Sequence, residues 1–196
     1  GRLPAAGRAM SFRHSPTGNF DTGKFMGRLL IAGLVALLMA IPAHAALKDG
    51  DTPPDLLGKD RDGHPVRISD SHGKVVIVTF WASWCGYCMQ ELPILEGIQA
   101  NAGKDRLQVI AVNDHEDRDL YWRMLRRLKN VQVTVVRGDN ALSDAFDVHG
   151  LPHMVLIDPD GRIAHVQEGY SQDGLPALID RINQLLHAVK AAEPAA

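Results

Sequence analysis

From Lys74 to Ala82 the chain reads Lys-Val-Val-Ile-Val-Thr-Phe-Trp-Ala, an almost unbroken β-branched and aromatic run. Such a segment suits a strand buried on both faces of a sheet. After Ser83-Trp84 the period changes. Cys88, Leu92, Leu95 and either Ile98 or Gln99 recur at helical spacing, with Pro93 inside the run expected to bend the helix. Leu107 to Val112 reads as a second buried strand. Arg118 to Lys129 reads as a helix with Tyr121, Met124, Leu125 and Leu128 on one face, and with Arg123, Arg126 and Arg127 on a solvated one.

The alternation then repeats. Val131 to Val136 predicts a strand, Ala141 to Asp147 a short helix, and Met154 to Ile157 a strand closed by the turn Asp158-Pro159-Asp160-Gly161, with Arg162 to Gln167 returning antiparallel. Leu175, Leu178, Ile179, Ile182, Leu185 and Val189 form the apolar stripe of a last helix, with Ser171 or Asp173 as its cap. Upstream, Asp62-Gly63 sits between two short extended pieces in 54–69, an extra hairpin ahead of the core. The β-α-β order implies parallel strands with right-handed crossovers, and the closing hairpin makes the sheet mixed. The fold class is therefore α/β, a central mixed sheet flanked by helices with an extra N-terminal β-hairpin.

A different pattern precedes this. Lys24 and Arg28 flank an apolar run from Leu29 to Ile41, followed by the small-x-small sequence Ala43-His44-Ala45. This reads as a secretory signal over residues 26–45, cut after Ala45. An uncleaved membrane anchor is the alternative reading, but the run is shorter than the roughly 20 residues that span a bilayer. Residues 1–25 lack apolar periodicity and read as an upstream extension or a disordered segment. Residues 46–190 form the single expected domain, and 191–196 a disordered tail.

Composition is that of an ordinary globular protein, 45% hydrophobic and 22% charged. Without residues 1–45 the chain carries 16 basic against 22 acidic residues, a net charge of −6. That balance argues against nucleic acid as a partner, since phosphate binding needs a basic surface. Export points to a periplasmic location, where disulfides persist, yet the chain has only two cysteines, Cys85 and Cys88. Closing so short a loop removes little entropy from the unfolded chain, so a structural staple is a poor use for the pair. A reactive role is the better reading. At the start of a helix, free amides and the macrodipole favour an anion. Cys85 is accordingly the expected attacking thiol, and Cys88, three residues on, the thiol that resolves a mixed disulfide.

The run Val78-Thr79-Phe80-Trp81-Ala82-Ser83-Trp84-Cys85-Gly86-Tyr87-Cys88-Met89-Gln90-Glu91-Leu92-Pro93, with the later Val148-His149-Gly150-Leu151-Pro152, resembles the thioredoxin superfamily, and within it the exported TlpA/ResA/DsbE-like reductases. The resemblance spans about Asp51 to Val189. It implies a thioredoxin-like fold and a cis proline at Pro152 facing the cysteines, with Leu151 and Pro152 as the substrate ledge and Trp84 as a shield and partner contact. A core-packing tryptophan would leave the same trace as Trp84, and a trans proline the same trace as Pro152. Glu91 matches the acid that ResA-like proteins carry near the buried cysteine, where it accepts or relays a thiol proton; a solvated glutamate in the first turn is the competing reading. Thioredoxin has a buried aspartate where this chain has Thr79, which gives Glu91 more weight.

The resemblance further implies a protein disulfide reductase without a cofactor. Its electrons come from a membrane thiol donor of DsbD-like kind, and its substrates are exported proteins with disulfides, apocytochrome c or a copper-site assembly protein among them. The dipeptide Gly86-Tyr87 also occurs in DsbC-like isomerases, which leaves an oxidase or isomerase open. A third reading is a copper chaperone that binds Cu(I) through Cys85, Cys88 and His153. His153 is otherwise expected to be a polar surface residue or a substrate contact. Asp114, His115, Glu116, Asp117 and Asp119 could suggest a cation site, but an acidic helix N-terminus explains them more simply.

Overall fold

The computed structural model describes residues 46–114, 116–128 and 131–192, with side chains through Val189. The segments read as an upstream extension and a signal, His115, and most of the C-terminal tail lie outside the described residues. Chain order is β1 (Leu56–Lys59), β2 (Pro65–Arg67), a 3-10 turn (Ser69–Ser71), β3 (Val75–Trp81), α1 (Gly86–Ala102), β4 (Leu107–Asn113), α2 (Arg118–Arg127), β5 (Thr134–Arg137), α3 (Asn140–Ala145), β6 (His153–Ile157), β7 (Ile163–Glu168) and α4 (Leu175–Ala192). Among the described residues, no helix is long and apolar enough to cross a membrane.

All seven strands form one sheet in the order β2-β1-β5-β4-β3-β6-β7. β3 pairs parallel with β4 and β4 with β5, whereas β6, β7 and the upstream hairpin add antiparallel strands at the two sides. Every residue of β3 is buried, as expected of a central strand covered on both faces. Strand alternation sorts them. Val75, Ile77 and Trp81 face a cluster shared with Cys85, Cys88, Leu92 and Leu95 of the α1 segment, Tyr121 and Leu125 of α2, and Leu178 and Ile182 of α4. Val76, Val78 and Phe80 face a second cluster with Leu57, Ile68 and Phe146.

Several expected boundaries shift, each for a visible reason. The strand expected over 131–136 begins only at Thr134. Before it, the Val131 N–H bonds the Leu128 carbonyl and the Gln132 N–H is taken by Glu96 of α1 at 2.6 Å, so neither is spent on the sheet. The periodicity left Ile98 or Gln99 open, and Gln99 is the one inside. Its carbonyl oxygen accepts the Val109 N–H at 2.7 Å and its amide donates to the Gln132 carbonyl, so a polar side chain is satisfied in an apolar stripe. In α4, Ile179 is exposed instead of joining the stripe, while Leu186 is buried. At α2, Asp117 caps the first turn by accepting the Asp119 and Leu120 N–H groups.

Parallel β3 and β4 end together, Trp81 opposite Asn113, and antiparallel β6 starts at that same end, His153 opposite Phe80. The loop 82–85 and the segment 147–152 are thereby delivered to one rim of the sheet.

Candidate active site

Cys85 is the N-cap of α1, in extended conformation, and forms a disulfide with Cys88 one turn on. The Cys85 sulfur also accepts the Cys88 N–H at 3.1 Å. An N–H at a helix's leading end has no carbonyl partner of its own, so the sulfur takes the place of the usual capping oxygen. When the pair is reduced, the same N–H and the positive end of the helix lower the energy of a thiolate at Cys85. Cys88 is fully buried and Cys85 nearly so, while Trp84 and Tyr87 are strongly exposed on either side of Cys85 in sequence. The exposure of Trp84 removes the core-packing reading.

Glu91 lies one turn beyond Cys88, on the face of α1 that meets the sheet, and is only 2% exposed. This overturns the alternative of a solvated glutamate. Thr79, on the α1 face of β3, donates its hydroxyl to Glu91 Oε2 at 2.7 Å. Burial pushes the Glu91 carboxyl up to about 7, with the Thr79 hydrogen bond opposing part of the rise. Near neutral pH this group can therefore hold or take up a proton. The position where thioredoxin has an acid here supplies the partner of one.

Just ahead of β6 the Leu151–Pro152 peptide bond is cis. Pro152 is buried and Leu151 half-buried against both core clusters. The Pro152 carbonyl accepts the Gly169 N–H at 2.7 Å, which ties the end of β7 to this segment.

His153 is placed differently from expectation. It is buried at 1% exposure, neither polar surface nor substrate contact. Alternation along β6 sets it opposite Phe80, with the two rings edge to face at 6.0 Å, on the face away from α1. Both ring nitrogens lack a hydrogen-bond partner, and burial lowers the imidazole's proton affinity. Cys85, Cys88 and His153 do not converge within metal-ligand spacing, which removes the three-ligand copper site. Among the described residues only Asp60, Asp62 and His64 approach one another closely enough to ligate a cation. They sit in the β1–β2 turn, where Asp60 already accepts the Asp62 and His64 N–H groups.

Glu116 was missed as a functional residue. It does not decorate the α2 N-terminus. Its buried carboxylate accepts the Ser83 N–H at 2.9 Å, the Ser83 hydroxyl at 2.6 Å and the Asn113 amide at 2.6 Å. It thus clamps the loop just ahead of Trp84-Cys85 to the end of β4. Sequence carried no signal for this, because 33 residues separate Glu116 from Ser83 and it stands among Asp114, Asp117 and Asp119 as one acid of several.

A helix-capping Cys85–Cys88 disulfide at the same rim of the sheet as a cis proline, on a mixed sheet of this connectivity, defines a thiol-disulfide oxidoreductase of the thioredoxin superfamily, of TlpA/ResA/DsbE-like kind. The chain belongs to the Redoxin family, whose model matches residues 48–182. It is 30% identical to the thiol-disulfide oxidoreductase ResA of Geobacillus kaustophilus over 124 residues, 63% of this chain and 71% of that protein. Among solved structures, a candidate thiol:disulfide interchange protein DsbE from Chlorobium tepidum is 31% identical with a TM-score of 0.65, covering 72% of this chain and 99% of that one. A candidate protein disulfide isomerase from Bacteroides thetaiotaomicron is 27% identical with a TM-score of 0.63, covering 72% and 91%.

Proposed function

We propose that this oxidoreductase works in the reducing direction on disulfides of exported proteins, and is itself exported to the periplasm through the segment 26–45. In the reduced enzyme the Cys85 thiolate attacks one sulfur of a partner disulfide. A Cys85–partner disulfide forms, the partner's own bond breaks, and its first sulfur leaves as a thiolate. Cys88 then gives its proton to Glu91 and attacks Cys85 Sγ. The Cys85–Cys88 disulfide forms and the partner's second thiolate leaves, so two electrons have passed from enzyme to partner. A membrane dithiol of DsbD-like kind returns the enzyme to its reduced state. Trp84, Leu151 and Pro152 hold the partner segment. Apocytochrome c awaiting haem and copper-site assembly proteins are substrates of the right chemistry, with cysteines that must be reduced before use.

The observation that carries this reading is the Cys85 sulfur held on the Cys88 N–H at the head of α1, with the buried acid Glu91 one turn further on. The second reading, an oxidase or isomerase, is favoured by Gly86-Tyr87 and by the likeness to the isomerase candidate. Equilibration with glutathione separates the two, since a potential near that of strong oxidants overturns the reducing direction. Cys85→Ser should abolish turnover, and Cys88→Ser should accumulate a mixed disulfide whose partner mass spectrometry identifies. Capture of nothing from periplasmic extract counts against protein substrates. N-terminal sequencing of the mature protein tests export and cleavage after Ala45.

A further inference from the structure

Tyr170 belongs to no part of the mechanism above, yet the fold brings it to the dithiol. It follows Gly169, whose N–H is held by the Pro152 carbonyl at 2.7 Å and whose φ of +73° turns the chain at the end of β7. The turn sets the Tyr170 ring against that of Tyr87, one of the two residues between the cysteines in sequence, with centroids 6.4 Å apart and planes tilted by 40°. Tyr87 is 61% exposed and Tyr170 partly so, which leaves ring surface of both open to solvent. Next to them, the Leu151 N–H and carbonyl make no hydrogen bond to any described residue. Unpaired backbone beside an open aromatic face is the arrangement that takes an extended segment, main chain on main chain and a side chain on the rings.

We infer that Tyr170, with Tyr87, forms an aromatic wall beside Cys85 that selects partner polypeptides carrying an aromatic side chain close to the disulfide cysteine. The occupant is fixed by continuity with the site, because the wall is tied to the cis-proline segment and one of its two rings belongs to Tyr87, within the Cys85–Cys88 turn of α1. An aromatic partner ring gains tilted or offset stacking on Tyr170 and Tyr87, whereas an alanine leaves both rings wet and an acidic residue gains nothing from them. The inference rests on the reading that protein disulfides are the substrates.

The test uses the reduced full chain and two synthetic peptides that differ only in having Phe or Ala next to a cysteine held in mixed disulfide with glutathione. The readout is the ratio of kcat/KM for the Phe peptide to that for the Ala peptide. A folding defect scales both rates and cancels from this ratio. Wild type should favour the Phe peptide by about tenfold, mainly through KM. Tyr170→Ala should bring the ratio close to one, and Tyr170→Phe should keep it, because the ring is what counts. A wild-type ratio near one, or a ratio unchanged in Tyr170→Ala, overturns the wall. If wild type reduces hydroxyethyl disulfide but neither peptide, the protein-disulfide reading falls, and the wall with it.

Discussion

Replacing Glu91 by Gln keeps the shape of the side chain and an acceptor for the Thr79 hydroxyl, but removes the charge. The folded carboxyl titrates at about 7 against an ordinary 4.5. Below pH 4.5 both folded and unfolded chains carry the proton, and Glu91 imposes no penalty. Between the two values the folded state binds more protons than the unfolded one, so stability falls as pH rises, and above about 7 the full cost of a buried charge is present. At about 1.4 kcal/mol per tenfold change in proton affinity, that cost is on the order of 3 kcal/mol. Glu91→Gln should therefore match wild type near pH 4 and exceed it by about 3 kcal/mol above pH 8. Urea denaturation of the oxidised proteins from pH 4 to 9 measures the difference, with both thiols locked in the disulfide and silent. The His153 titration, common to both proteins, cancels. A stability difference that stays constant with pH, or that favours wild type at high pH, would refute a buried carboxyl with raised proton affinity. The same variant should slow the resolving step, since Cys88 loses its proton acceptor.

Thr79→Val removes the hydrogen bond that opposes the burial effect on Glu91, so the carboxyl should titrate still higher than about 7, which infrared difference spectra of the carboxyl band would follow. Glu116→Ala strands the Ser83 N–H and hydroxyl and the Asn113 amide, at a cost of about 3 kcal/mol or more, and should lower kcat/KM for insulin reduction by at least about tenfold. Glu116→Gln can keep all three bonds if the Ser83 hydroxyl turns to accept, and should recover most of both losses. Gly58 has φ +130°, and an added Cβ would lie 2.8 Å from the Arg137 carbonyl oxygen, so Gly58→Ala should cost about 1–3 kcal/mol in urea denaturation and loosen the β1–β5 pairing.

The elements and their order were legible because β3, β4 and β6 are continuous apolar runs and α1, α2 and α4 carry 3.6-residue stripes, all short-range signals. The attacking and resolving cysteines were legible for the same reason: their chemistry depends on a strand feeding a helix, both written within about fifteen consecutive residues. The resemblance to ResA-like proteins also raised Glu91 as a proton acceptor near Cys88, yet left it balanced against a solvated side chain. Only β3 packing behind α1 buried it, found it Thr79 as a donor and raised its proton affinity, because burial is a property of what arrives from elsewhere in the chain. Alternation along β6 likewise took His153 to the face opposite the cysteines, although it follows Pro152 directly in sequence. Glu116 and Tyr170 reach the rim from 31 and 85 residues beyond Cys85, through parallel β4 and antiparallel β7. No periodicity encodes such meetings; they exist only once the sheet has paired its strands.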